Sequence, residues 1–330
     1  MKPHRYFLPK TIIIFLRLVT IILAYIGAFA GLAKAQDLGG SVLRDYPSAL
    51  TVPKGRFEIN FDYLTADTSE DDSQTGAGDL KGFRLLSNYG LFHHTTIMSA
   101  FTHQTLTFGL DELTIFSAEL SFKRNLISRQ RGWIPKLSVN AGIRTNMALD
   151  GEKLRIDVNP GNNEATPAAI HDLKDTTAYV RFTAGKIWGR FFPHLFLEYG
   201  HSKINTKADF IATEDSFGFS SDLERNEDHL KSGISLLIKF PYTSLLQLEY
   251  DYLKLFRDQK LDAIDDNHIL KADINTYLTP SIILNLGGQY NFHHLNGQIP
   301  FLYQEFNQES FDRKYNYLKF GLTFLFGQKQ

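Results

Sequence analysis

The sequence predicts an all-β protein, a transmembrane antiparallel up-and-down β-barrel of about twelve strands. Three observations carry that prediction. Asn316 to Phe326 alternates, with Leu318, Phe320, Leu322, Phe324 and Phe326 on one side and Tyr317, Lys319, Gly321 and Thr323 on the other. Period-two runs of about ten residues bounded by turn residues recur along the chain, and that is the length a tilted strand needs to cross the hydrocarbon. The connections between the runs are alternately short and long.

The first element is an export signal. Lys2, Arg5 and Lys10 precede an apolar run from Thr11 to Leu32, and Ala33-Lys34-Ala35 puts small residues at the two positions a signal peptidase reads. The reading is a signal peptide over 1–35, removed to leave Gln36 first. The run is long enough to span a bilayer uncleaved, but Arg17 within it and the small-residue exit point to cleavage. No Cys follows the run, so the N-terminus is not lipidated. A periplasmic N-terminal segment is expected over 36–54, the barrel over 55–326 and a short tail over 327–330. No later apolar segment reaches ~18 residues, so any crossing must be by strands. The absence of Cys leaves stability to a closed hydrogen-bond network. A net charge of −1 offers no basic surface for nucleic acid.

The first strand reads from Gly55 to Leu64, with Phe57, Ile59, Phe61 and Tyr63 toward lipid and Glu58, Asn60 and Asp62 inward. Alternation also marks Phe116 to Lys123, Lys136 to Arg144, Thr177 to Thr183, Leu195 to Tyr199 and Leu230 to Phe240. The ninth strand, Ser244 to Leu255, sends Leu246, Leu248, Tyr250 and Tyr252 out and Gln247, Glu249 and Asp251 in. In the next two, Leu270, Ala272, Ile274, Leu278 and Ile282, Leu284, Leu286, Tyr290 face out, whereas Lys271, Asp273, Asn275 and Asn285, Gln289, Asn291 face in.

A soluble sandwich would alternate in the same way, and connection lengths separate the two. The short ones are Gly90 to His93, Leu126 to Trp133, Gly189 to Phe192, Pro241 to Thr243 and Thr279 to Ser281. The long polar ones are Ala66 to Asp79, Ala148 to Asp175, Ile204 to Asp228, Arg257 to Asn267 and Leu295 to Arg313, with only Phe108 to Asp111 out of step. Short periplasmic turns and long outer loops are the asymmetry of a membrane barrel. Amphipathic rings prefer the membrane boundary, so Trp133, Trp188, Phe240 and Tyr242 are expected at the periplasmic rim and Tyr63, Tyr199, Tyr252 and Phe292 at the outer one.

Inward positions collect Glu58, Asp62, Glu119, Glu198, Glu249, Asp251 and Asp273 with Arg84, Lys123, Arg144, Arg181, Lys231, Lys271 and Lys319. Arg181 is expected to meet Glu198, and Lys319 to approach Glu58 or Asp62. Two arrangements fit: a channel whose paired charges orient polar solutes, or a lumen plugged by ion pairs. Twelve strands leave room for a narrow pore, so the chain is read as an outer-membrane channel for passive or substrate-specific uptake of a small-molecule solute. Arg84, Arg144, Arg181, Glu198, Glu249 and Lys271 are its pore-lining candidates. The mixed signs predict no strong charge selectivity.

Two outer loops are unusually apolar. One carries Ile299, Pro300, Phe301, Leu302, Tyr303 and Phe306, the other Phe210, Ile211, Phe217 and Phe219. Either they fold into the mouth, with Phe301, Tyr303 and Phe306 as solute contacts, or they pack on each other. The acidic loops at 66–79 and 257–267 either hold Ca²⁺ or Mg²⁺ shared with lipopolysaccharide phosphates or are solvated surface charge, and their spacing, which matches no defined calcium loop, favours the second. No metal or other cofactor is expected: His93-His94 and His293-His294 fall at opposite surfaces. As an alternative activity on membrane lipid, Ser99 and His103 on the third strand are the nearest nucleophile and base, about 13 Å apart at ~3.3 Å per residue, too far to act together. A non-conducting structural barrel is the other alternative. That third strand, Thr95 to Thr105, is the least apolar on its outer face; it is either a contact in a homo-oligomer or out of register.

The closing strand resembles that of bacterial outer-membrane β-barrels, in which Phe320, Leu322, Phe324 and Phe326 would form the C-terminal signal read by the outer-membrane assembly machinery. Here Gly327 to Gln330 follow the last Phe, where many members stop. Upstream, Tyr46-Pro47-Ser48-Ala49-Leu50 and Pro53-Lys54-Gly55-Arg56-Phe57-Glu58 resemble the start of the phenol-degradation meta-pathway family of outer-membrane proteins. That resemblance covers about a dozen residues and implies import of hydrophobic or aromatic compounds.

Overall fold

The computed structural model describes residues 48–66, 79–108, 111–149, 154–158, 166–210, 220–240, 244–257, 265–293, 295, 297–303 and 315–327. They form thirteen strands: β1 Phe57–Ala66, β2 Asp79–Phe92, β3 Thr95–Phe108, β4 Asp111–Ile127, β5 Lys136–Ala148, β6 Leu154–Val158, β7 Thr166–Gly185, β8 Phe191–Phe210, β9 Ser220–Lys239, β10 Ser244–Arg257, β11 Asp266–Thr279, β12 Ile282–Asn291 and β13 Tyr317–Phe326. Each pairs antiparallel with its neighbour, β13 returns to β1 from Phe57↔Phe326 to Thr65↔Leu318, and β5 pairs with β7 past the short β6. Twelve strands thus close a barrel, and β6 stands outside the ring on the edge of β7.

Closure is what a strand protein needs in hydrocarbon, because an unpaired N–H or C=O there has no water to bond and costs several kcal/mol. The side chains match it. Along β1, Phe61 and Tyr63 are exposed while Glu58, Asn60 and Asp62 are buried, and along β13 Leu318, Phe320 and Phe326 are exposed while Lys319 and Thr323 are buried. Leu120, Ile143, Leu195 and Ile234 likewise present large apolar surfaces outward. A protein whose apolar side chains face out and whose carboxylates face in has lipid for an outer solvent. The chain is a transmembrane barrel of the outer membrane.

Both aromatic boundaries are present. Lys186 Nζ lies 4.6 Å from the ring centroid of Trp133 and 5.5 Å from that of Trp188, which joins the two tryptophans at the periplasmic rim. At the outer rim Tyr250, Tyr252 and Phe292 gather around His268 at 5.2–6.1 Å, with Tyr250 Oη 2.7 Å from His268 Nδ1. Tyr242 lies outside the described residues.

Two expectations need correction. The first is strand length: β7, β8 and β9 run for 20 residues each, so the segments taken as long loops at 148–175 and 204–228 are largely paired strand. A hairpin continues into water wherever one face stays apolar, and Ile170, Leu173 and Ile204 supply that face above the membrane. The second is the N-terminal segment. Ser48, Ala49 and Val52 are buried, Ser138 Oγ donates to Ser48 O at 3.2 Å, Val52 N donates to Thr96 Oγ1 at 2.8 Å, and Asn125 Nδ2 donates to Thr51 Oγ1 at 3.1 Å. Residues 48–52 of the segment expected in the periplasm therefore tuck into that end of the lumen. Gly55, at φ 76°, turns the chain into β1, and a Cβ on Gly90 would overlap the Pro53 carbonyl.

The orientation can be tested on one strand. Leu120→Arg, midway along β4 on the lipid face, should destabilise the barrel in vesicles by about 2–4 kcal/mol, while Ser117→Arg on the luminal face should cost under about 1 kcal/mol. Urea titration of the vesicle-folded protein reads both, and equal costs would contradict a lipid-facing Leu120.

Candidate functional site

The lumen is a wall of ion pairs around a cavity of ≈270 Å³, lined by Arg84, Arg144, Arg181, Lys231, Lys271 and Lys319 among others. Four of the six predicted pore-lining residues, Arg84, Arg144, Arg181 and Lys271, therefore share one space. Glu198 and Glu249 stand behind it in the wall. Arg181 Nε donates to Glu198 Oε2 at 2.6 Å, as expected from their direct pairing across β7 and β8, and His229 Nε2 is 3.1 Å from the other oxygen. Lys271 Nζ donates to Glu249 Oε1 at 2.6 Å and Asp251 Oδ2 at 3.3 Å, and Lys231 Nζ is 2.7 Å from that same Asp251 oxygen.

Direct register sets most of these ion pairs, and inward glycines let other side chains lean over or across a strand. Asp62 leans over Gly321 of β13 and accepts from Arg84 Nη2 of β2 at 2.8 Å. Asp273 of β11 lies across Gly287 of β12, where a Cβ would strike its carboxylate, and so reaches Lys319 of β13 at 2.6 Å. Lys319 thus pairs with Asp273, an acid two strands away that was not expected for it. By the same device Tyr179 crosses Gly142 to donate to Glu119 Oε1 at 2.5 Å. Phe196, an inward aromatic, lies flat on Gly233 with Arg181 and Lys231 at 5.7 and 5.8 Å from its ring centroid. Side chains that bridge strands along the wall leave the middle of the lumen unfilled.

The roof is chain. Leu295 and 297–303 enter the mouth, where Ile299, Phe301, Leu302 and Tyr303 pack on an inward ring that includes Leu64, Leu80, Leu106, Leu113, Ile115, Ile170 and Ile204. Phe301 and Tyr303 are buried there, whereas Phe306, the third solute contact expected, lies outside the described residues, as do Ile211, Phe217 and Phe219. Luminal side chains hold the segment by its backbone. Arg225 Nη2 donates to Pro300 O at 2.7 Å and Tyr303 O at 2.6 Å, Arg144 Nη2 to Gly297 O at 2.8 Å, and Asn146 Nδ2 to Gln298 O at 3.1 Å. Asp175 Oδ2 accepts from Phe301 N at 3.2 Å, and its Oδ1 accepts from Asn146 Nδ2 at 2.8 Å.

Sequence reasoning missed Arg225, Asn146 and Asp175 as anchors. The signal was there: Arg225, Glu227, His229 and Lys231 continue one face of the Leu230 to Phe240 run upward at every second position. On the lipid face, Ser99 and His103 are both engaged elsewhere. Ser99 Oγ is 2.7 Å from Ser87 Oγ, and the His103 ring stacks on Phe83 at 5.1 Å. Of the two alternatives for β3, its register stands as read, with Ser99 and His103 on the outer face beside Ser87 and Phe83. Among the described residues no three His, Asp or Glu side chains converge on a metal position.

Asp175 sits above the outer aromatic boundary, directly opposite Ile204, with Lys203 next to it outside the barrel. Burial pushes its carboxyl up to about 7, against the opposing pull of Arg144 and its hydrogen bonds from Phe301 and Asn146.

No protein-family model matches the sequence, and comparison with curated proteins gives no match. Among solved structures, the chain is similar to the translocator domain of autotransporter NalP from Neisseria meningitidis at 8% identity and TM-score 0.48, over 82% of this chain and 87% of that one. LpxR from Salmonella typhimurium gives 8% identity and TM-score 0.46 over 82% of this chain and 100% of that one. The P. putida toluene transporter TodX gives 8% and 0.43 over 89% and 93%. None of these likenesses bears on solute or chemistry.

A raised carboxyl makes the seat of the segment pH-dependent, with a defined sign. The folded value lies above that of an exposed Asp, so the ionised form opposes seating: the penalty is absent below about pH 4 and complete above about pH 7. Limited proteolysis at 295–303 should accelerate from pH 5 to pH 8, and Asp175→Asn should remove most of that pH dependence. An unchanged pH profile in the variant would show that another group sets it.

Proposed function

We propose that this barrel is a passive channel for uptake of small solutes, with the luminal cavity as its transit chamber and 295–303 as its outer gate. The observation that carries the reading is that space remains beneath a roof of removable chain. Among the described residues no strand pairing holds 297–303; it is held by apolar packing on the mouth and by side-chain hydrogen bonds to its backbone, several from arginine. Hydrogen bonds to charged groups contribute roughly 1.5–3 kcal/mol each. A few of them fix a gate firmly yet reversibly. The apolar ring around the mouth, vacated when the segment lifts, supports a solute with a hydrophobic or aromatic body.

A second reading has its own observation. Both ends of the lumen are occupied, by Ser48–Val52 below and 295–303 above, which is what a non-conducting structural barrel would require. Planar-bilayer recording of the refolded protein separates the two. We expect small, flickering openings from the wild type and larger, longer ones from Arg225→Ala, which frees the Pro300 and Tyr303 carbonyls. Silence from the wild type, from Arg225→Ala and from a variant lacking 298–302 would establish the structural barrel.

A further inference from the structure

We infer that the luminal cavity takes small organic anions, an apolar body carrying a carboxylate at one end. This deepens the channel reading and rests on it for its role in transport. Inward charges of both signs are nearly balanced along the chain, but they are not equally presented. In four of the pairs the carboxylate lies against the wall and the cation stands toward the cavity, whereas Lys319 and Asp273 are buried alike and both border it. Arg84 is 17% exposed against 1% for Asp62, Lys231 16% against 0% for Asp251, and Lys271 17% against 0% for Glu249. Arg181 likewise is more exposed than Glu198. The Gly321 position explains part of this, since Asp62 recedes into the space that glycine leaves. Coulomb energy falls with distance, so a solute in the chamber is governed by the nearer charge.

Six cations line the cavity against two carboxylates, and both carboxylates are occupied: Glu119 by the Tyr179 hydroxyl and Asp273 by Lys319. Arg144 makes no ion pair among the described residues. Its Nη2 holds Gly297 O, while its Nε is buried with no acceptor. Lys123 is a further inward cation; it is buried, has no ion pair or hydrogen bond among the described residues, and faces Asn140, which in turn faces Arg181. Of these two donors Arg144 borders the cavity and marks its foothold below the roof.

The outer end of the chamber is different. Leu64, Leu80, Ile269, Leu295 and Ile299 border it beneath the roof, so the wall is apolar toward the mouth and cationic below, at Arg84, Lys271 and the other bases. A volume of ≈270 Å³ lies just under the ~300 Å³ at which ligand pockets begin, which suits one ring or a short branched chain. The chemistry that fits both ends is an aromatic or branched aliphatic carboxylate.

Calorimetric titration of the detergent-folded barrel with benzoate, benzamide and benzylammonium tests this without requiring conductance. Benzoate should bind about tenfold or more tighter than benzamide, and benzylammonium should not bind. Arg144→Gln should fold by gel heat-modifiability and should weaken benzoate several-fold relative to benzamide, while Lys123→Gln, off the cavity lining, should leave that ratio unchanged. Equal affinities, a preference for benzylammonium, no binding by any probe, or an undiminished benzoate preference in Arg144→Gln would each overturn the inference. Benzoate binding without current from any gate variant would instead remove the channel reading and leave an anion site. Current without benzoate preference would do the reverse.

Discussion

Everything in this molecule depends on the pairing of β13 with β1. A sheet in hydrocarbon has no water for its edges, so the two terminal strands must find each other or the crossing fails. Once that seam closes, the period of two fixes every side chain to lipid or lumen, and the closing strand of Leu318, Phe320, Leu322, Phe324 and Phe326 has no choice of face. Polar groups gathered inside must then be satisfied by one another. The ion pairs of the lumen are therefore a consequence of closure before they are a device for function.

How they are satisfied depends on small residues. Side chains that reach across an inward glycine to a partner one strand further on lie along the wall instead of across the bore. Tyr179 over Gly142 and Asp273 over Gly287 show the same geometry with different chemistry. A lumen of this circumference filled by direct cross-strand pairs alone would project its long bases toward the centre. Here bridging keeps the wall thin and leaves a chamber under the seated segment.

The fold was largely legible because closure leaves a periodic imprint: the outward Leu, Ile and Phe, the Trp133 and Trp188 rim and the Arg181–Glu198 contact all follow from alternation and connection length. What alternation cannot say is how far a strand continues past the membrane, since Arg225, Glu227 and Asp175 sit in stretches that read equally well as polar loop. Nor does it say which charge meets which. Lys319 finds Asp273 because strand stagger and an absent Cβ at Gly287 bring them together, and neither appears in a one-dimensional pattern. The site was visible as a set of residues and invisible as an arrangement.

That difference changes the functional argument. Counted along the sequence, the inward acids and bases nearly cancel, and a channel lined by them has no reason to prefer either sign. Placed in space, the carboxylates recede and the guanidinium and ammonium groups advance, so the wall behaves as a layer of dipoles with the positive end inward. The potential of such a layer is set by which end a solute touches rather than by net charge. Arg144, which makes no ion pair among the described residues, lies within the same layer and adds to it. Above it the apolar ring that now holds Phe301 and Tyr303 demonstrates, with the protein's own side chains, that hydrophobic groups seat stably at the head of a cationic chamber.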